Sequence, residues 1–366
     1  EEPVLLLAHA DPQLLNRARA AIRFEVDPLP AVLTIEDAEA ARDVVWGADN
    51  VLYRVAIDKG DPDAAFAAAV AGGARVFTGE YRTAAQEQLY IENNGMIAVA
   101  SAESGVTVWG SLQCPYYVQK ALIKLFDLTP ERARVVQLTT GGGFGGKEEY
   151  PSVIALHAAL LAKKSGHPVR MIYDRKEDIE ATTKRHPAIC EIKSGCDRDG
   201  RLRALSVKVI MDGGAYVTLT PVVLSRGSLH ASGAYRWDDV RIESIAVATN
   251  TPPNGAFRGF GAPQTIWAIE RHLDAVARKL GRDPLDLKGQ NVLKLDDATA
   301  TGQVLRFSVA GAECLEKTLA ASGYAAKRAA PPIIEGRKAR GIGGALFMHG
   351  AGFTGSGERY LKGKAA

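Results

Sequence analysis

The amino-acid sequence predicts an α+β fold in which antiparallel sheet packs against helices. Three features carry that prediction. Strand-like runs follow one another through short turns, as 189–195 and 202–211 do across "DRDG". Stretches of helical period stand between groups of strands, so the regular alternation of a parallel βαβ sheet is missing. The segment 265–280 sets Ile266, Ile269, Leu273, Val276, Ala277 and Leu280 on one face and charges on the other, which makes it a packing helix.

The elements follow in order. The opening "EEPVLLLAHA" already reads as structured chain, so sequence before Glu1, or another polypeptide, is expected to complete this end. An alanine-rich helix is expected over 12–23 and a strand over 27–32. Residues 35–74 alternate short helical and extended pieces, and "AFAAAVAGG" closes with a glycine pair that stops a helix. A domain boundary is therefore placed near residue 74. Strands then dominate ("RVFTGEYRT", "GMIAVA", "VTVWGSLQ", 135–138, 169–173), broken by helices over 117–128 and 152–164. The glycine-rich end, "GIGGALFMHGAGFTGSGERYLKGKAA", reads as extended.

Composition narrows the function. The 366 residues allow two or three domains, and 46% hydrophobic with 24% charged residues describes an ordinary globular protein. A net charge of +3, with both signs interspersed, argues against nucleic acid or a membrane surface as partner. No apolar run reaches the ~20 residues that span a bilayer, and no secretory leader pattern opens the sequence. Cys114, Cys190, Cys196 and Cys314 form no C-x-x-C pair, and no two histidines stand three or four apart. Free thiols and a cytoplasmic location are expected, with no iron–sulfur or zinc site on this chain.

The chemistry concentrates in "TTGGGFGGKEE", where five glycines occupy six positions. Gly141, Gly143 and Gly146 fit the dinucleotide pattern G-x-G-x-x-G, and Gly141, Gly146 and Lys147 fit most of a phosphate loop. The phosphate loop needs a hydroxyl after its lysine, but Glu148 and Glu149 stand there and would repel a triphosphate. The dinucleotide pattern would need Asp174 as its ribose contact, farther along than the ~20 residues expected. Tight backbone packing is the plainest role for such glycines. It leaves unexplained a second glycine and aromatic loop, "GAFRGFGAPQ", with the same freedom to line an anionic or oxo-bearing ligand with backbone N–H groups.

"GGGFGGKE" and "GAFRGFGAPQ", with "AQEQLYIE" and "RHPAICEIKSGCDRDGRL", resemble the molybdopterin-binding part of the xanthine dehydrogenase and aldehyde oxidase family over some 270 residues, from Phe77 onward. The resemblance implies that 1–74 is the end of a smaller hammerhead-like α/β domain plus connector. It makes 75–330 a first molybdopterin-binding domain and 331–366 the start of a second. In that family a molybdopterin-bound molybdenum hydroxylates a carbon next to a heteroatom, with oxygen taken from water. Carried over by motif, Gln113 would approach a molybdenum oxo ligand through its side-chain amide. Gly142, Gly143, Phe144 and Gly145 would line the cofactor, Phe144 through its backbone. Arg258 would do the same from the second loop, its side chain bracing that loop.

Three further matches bear on substrate. Glu148 stands where purine-oxidising members hydrogen-bond the heterocycle, Arg226 is spaced as the arginine that stabilises negative charge on a purine, and Phe260 matches the ring that packs on the substrate. A purine-like N-heterocycle is therefore favoured over an aldehyde. Plainer roles stay open: Glu148 as a helix-starting carboxylate, Arg226 as a surface arginine, Phe260 as a core ring. The resemblance places the general base, a glutamate, beyond Ala366, so no catalytic residue is identified in this chain. The implied cofactor is molybdopterin with molybdenum, in its plain or cytosine dinucleotide form. Iron–sulfur clusters, FAD and the other half of the cofactor site are expected on partner chains or missing segments of a multi-subunit oligomer. Aldehyde oxidation by the same family, and a nucleotide-binding domain built on Gly141 to Lys147, remain the alternatives.

Overall fold

The computed structural model of the protein describes residues 3–71, 75–331 and 333–350. The chain begins with α1 (Pro12–Ala21), α2 (Ile35–Ala40), β1 (Val51–Lys59), α3 (Pro62–Ala71), β2 (Arg75–Thr83), β3 (Gly95–Ser101) and β4 (Gly105–Gly110). It continues through α4 (Pro115–Phe126), β5 (Ala133–Gln137), α5 (Pro151–Ser165), β6 (Val169–Ile172), α6 (Arg175–Ala181), β7 (Ala188–Cys196) and β8 (Leu202–Gly214). Then come α7 (Thr220–His230), β9 (Asp239–Ala248), α8 (Ala262–Leu280) and α9 (Pro284–Asn291), followed by helices Gly311–Ser322 and Tyr324–Ala329 and a short hairpin over 333–340. Among the described residues, no helix is long and apolar enough to cross a membrane.

Two mixed sheets organise these elements, as the α+β expectation requires. The larger has the order β1-β9-β8-β7-β2, antiparallel except between β8 and β9. The smaller has the order β5-β4-β3-β6, antiparallel except between β4 and β5. Strands β1 and β2, on either side of residue 74, are the two edges of the larger sheet.

Side-chain alternation shows how the larger sheet is buried on both faces. Leu205, Val207, Val209 and Met211 of β8 point into one core with Val223 of α7 and Ile269, Leu273 and Val276 of α8. Ile210, one register step away, joins Ile189, Val247, Val32 and Ile35 on the opposite face. The smaller sheet has its own core, in which Met96, Ala98 and Val108 pack against Val118 and Leu122 of α4 and Ile154, Ala155 and Ala158 of α5.

Several sequence expectations change. Residues 27–32 form no strand, and neither do 341–350; residues 351–366 lie outside the described residues. The stretch "TLTPVVLSRGSLH", for which no helix is predicted above, contains α7. Its β-branched residues and Gly227 are weak helix formers, but Thr220, Val222, Val223, Leu224 and Arg226 are buried, and tertiary packing overrides propensity. Gly227 matters here because a Cβ would come 2.7 Å from the Met211 side chain and 3.3 Å from the Gly261 carbonyl oxygen. Helix α8 starts at Ala262, before the expected 265, with a proline in its first turn and Gly281 in the left-handed region closing it.

A buried charge cluster ties α8 to α9. Lys288, 1% exposed, pairs with Glu270 at 2.9 Å and Asp274 at 2.7 Å, and Glu270 also accepts from Tyr235 and from the Leu346 backbone. Lys288→Ala leaves the Glu270 carboxylate buried without its cation and is expected to cost about 3–5 kcal/mol in urea unfolding. The exposed Lys317→Ala, which breaks only the i,i+4 pair with Glu313, is expected to cost under ~0.5 kcal/mol. Equal losses from the two would refute the assignment.

Candidate functional site

The first glycine loop joins the smaller sheet to α5, and the second joins β9 to α8. They meet through one backbone hydrogen bond, from the Arg258 N–H to the Phe144 carbonyl at 2.9 Å. Gly145, at φ +101°, makes the approach possible: a Cβ there would come 2.7 Å from the Ala256 carbonyl carbon and oxygen. Phe144 itself is held at φ +53° with its side chain half exposed.

Gln113 organises the first loop. Its Oε1 accepts from the backbone N–H of Gly145 at 2.9 Å and of Lys147 at 3.3 Å, and its own N–H donates to the Lys147 carbonyl at 2.7 Å. Gly143 must lack a side chain here, since a Cβ would lie 2.3 Å from Gln113 Oε1. With the oxygen fixed inward, the Gln113 amide NH2 donates to no described residue, and neither do the backbone N–H groups of Gly142, Gly143 and Phe144. These open donors in a glycine cradle fit an oxo-bearing or anionic group. No group of three or more His, Cys, Asp or Glu among the described residues could hold a metal by itself. The cradle presents N–H donors, which offer no electron pair to a bare cation and suit a group that carries its own oxygen ligands.

The nucleotide patterns find no support. Lys147 is fully buried, its Nζ bound to Glu92 Oε2 at 2.8 Å and Ser111 Oγ at 2.9 Å and lying over the Tyr90 ring, so it reaches no phosphate. Asp174 caps α6 by accepting from the Glu177 N–H at 2.8 Å.

The substrate candidates divide into two groups. Arg226 is buried on α7 rather than on the surface, with its guanidinium 5.9 Å from the Phe260 ring centroid and Nη1 3.4 Å from His349 Nε2. Phe260, at φ +49°, packs against the core as well as Arg226. Glu148 precedes the first turn of α5, which begins at Pro151, and does not act as a helix start. It is 8% exposed, and its carboxyl makes no hydrogen bond or ion pair to a described residue. Burial, then the neighbouring Glu149, push its pKa up to about 7.

The second loop is held by side chains to which sequence reasoning gave no role. Glu149 Oε1 accepts from the Ala256 N–H at 3.0 Å, Gln88 Nε2 donates to the Ala256 carbonyl at 2.9 Å, and Arg185 Nη2 donates to the Arg258 carbonyl at 3.2 Å. The bracing expected of the Arg258 side chain, which is exposed, is thus performed by Arg185. The Arg258 N–H is engaged by Phe144 rather than open to a ligand. Gln88 and Arg185 lie inside the motifs "AQEQLYIE" and "RHPAICEIKSG", so the signal was present without the contact that interprets it. Glu149 Oε2, Gln88 Oε1 and Arg185 Nη1 are enclosed without a hydrogen-bond partner among the described residues.

Burial also pushes Glu149 up to about 7 from an ordinary carboxylate value of 4.5. Between these values the folded chain binds more protons than the unfolded chain. The contribution is fully present below pH 4.5 and is lost as pH rises through about 7. Glu149→Gln should remove this slope, so the wild type loses stability relative to the variant over that window in chemical unfolding. Parallel pH curves would contradict the assignment.

A family model for the molybdopterin cofactor-binding domain matches residues 47–292. A probable xanthine dehydrogenase component from Bacillus subtilis (strain 168) is 37% identical over 313 residues, which cover 83% of this chain and 39% of that relative. The nicotinate dehydrogenase large molybdopterin subunit of Eubacterium barkeri is 35% identical over 317 residues, covering 86% of this chain and 73% of that relative. The aldehyde oxidoreductase of Desulfovibrio gigas shares the fold at a TM-score of 0.78 with 24% identity, over 87% of this chain and 34% of its own. The chain therefore belongs to the xanthine dehydrogenase and aldehyde oxidoreductase family of molybdopterin-dependent oxidoreductases, and it spans 39% of the length of its Bacillus relative.

Proposed function

We propose that this chain forms one wall of the molybdenum site of a hydroxylase acting on a purine-like N-heterocycle. The observation that carries the reading is Glu148, a buried carboxyl with no partner among the described residues, four positions beyond the last of the open N–H donors of the cradle. When bound, the molybdopterin centre supplies the two-electron oxidation of a carbon beside a ring nitrogen, with oxygen from water. Gln113 Nε2 and the N–H groups of Gly142, Gly143 and Phe144 would hold that group. Their orientation is fixed beforehand by the two hydrogen bonds into Gln113 Oε1.

Glu148, poised near pH 7, is able to donate to or accept from a ring nitrogen or carbonyl at neutral pH. Arg226 stabilises negative charge that develops on the ring, and Phe260 sets the ring plane between that guanidinium and the second loop. The proton-accepting carboxylate, the iron–sulfur and flavin groups that carry electrons away, and the remaining cofactor contacts are assigned to other segments or subunits. The names of the xanthine and nicotinate relatives, both acting on N-heterocycles, support this choice over an aldehyde.

The first test is the molybdenum-to-protein ratio of the complex isolated from its natural host through a tag on this chain. A value near one per chain is expected, and none in an intact complex would sink the reading. On that complex, Glu148→Ala should lower kcat/KM for hypoxanthine ~100-fold or more while leaving a small aldehyde within ~3-fold, because a site built to hydrogen-bond its substrate suffers most when the partner is removed. Glu148→Gln should fall between. Activity left unchanged by Glu148→Ala would favour aldehyde chemistry, and an equal loss on both substrates would refute a substrate contact for Glu148.

A further inference from the structure

The second glycine loop rests on a charge that lacks a counter-charge. Arg185 is 7% exposed, and burial draws its pKa down to about 10, so it stays cationic at neutral pH. Its Nε donates to Gln86 Oε1 at 2.6 Å and its backbone N–H to the Gln86 carbonyl at 3.0 Å. Its Nη2 donates to the Arg258 carbonyl at 3.2 Å, and the guanidinium lies 3.8 Å from the Phe257 ring centroid. No carboxylate of the described residues pairs with it, and its Nη1 is enclosed without a partner.

A buried guanidinium in this state is expensive: it has given up water, and one N–H is unsatisfied. Its geometry shows what it achieves. Residue 258 has its N–H bound to the first loop and its C=O bound to Arg185, so both faces of that short segment are fixed. The Phe257 ring beneath the guanidinium fixes the preceding residue. A lysine in this place would keep the charge but could not form the two-armed fork or stack flat on the ring.

We propose that Arg185 is a positioning residue for the cofactor: its fork sets residues 257–258 against the first glycine loop, and its uncompensated charge favours the anionic, phosphate-bearing molybdopterin. This rests on the reading that the two glycine loops face that group.

The test uses the complex isolated from its host, as wild type, Arg185→Lys and Arg185→Met. Two readouts are taken: molybdenum retained per chain after prolonged dialysis, and hydrogen exchange of the backbone amides over 255–261. In R185M, retention should fall at least tenfold and exchange at 257–259 should rise. R185K should recover part of the retention, since the charge survives, while its loop exchanges as fast as that of R185M. Wild-type retention and exchange in R185M would overturn the proposal. If R185M does not accumulate, R185K decides, and wild-type exchange there would overturn it. A wild-type complex without molybdenum would instead sink the functional reading, and the exchange comparison alone would then settle whether Arg185 sets the loop.

Discussion

Everything at this site depends on the place where two glycine loops touch backbone to backbone. One loop leaves the smaller sheet and the other leaves the larger, and each sheet has its own core. The Arg258 N–H to Phe144 carbonyl bond, with Gly145 lying flat on the Ala256 carbonyl, joins them. A side chain at Gly145 would force the loops apart, and a residue other than glycine would also resist its φ of +101°. The glycines therefore act first as a joint and only then as a cradle: Gly142, Gly143 and Phe144 keep free donors because Gly145 has already fixed the loop against its partner.

The same joint explains what the sequence could and could not disclose. Helix α8 was legible because its periodicity is local and strong, and α5, β7 and β8 because apolar runs bounded by turn residues mark them in the local sequence. Helix α7 was not: "TPVVLSRGSLH" carries little helical preference and is helical because it is enclosed by the sheet and by α8. The site divides along the same line. Gln113 and the glycines are named by short motifs, whereas the clasp of Gln88, Glu149 and Arg185 on residues 256–258 joins positions far apart in sequence. Such contacts have no period, and family motifs mark their residues without saying which atoms meet.

Burial of polar groups then separates framework from site. Lys147 is as deeply buried as any ionisable group here, yet its ammonium reaches Glu92, Ser111 and the Tyr90 ring. Removing any member of that network would expose a cost inside the protein, and nothing further is needed to complete it. Glu148 lies one residue on with no partner, Glu149 keeps one oxygen unpaired, and Arg185 keeps one N–H unpaired. An unmade buried hydrogen bond typically costs about 1–3 kcal/mol, a large fraction of the ~5–15 kcal/mol by which a domain is stable.

A fold that needed these groups only for its own stability would be better served by apolar replacements of the same shape. Their place beside the loop joint instead suits the proposed role of that joint in holding a bound group, with Glu149 and Arg185 fixing the second loop from behind. A ligand that binds only the native state returns its binding free energy as stability. Under the proposed function the chain with its cofactor is the more stable species, and the open donors of the first loop, the Glu148 carboxyl and the Arg185 guanidinium are the groups through which that coupling would act.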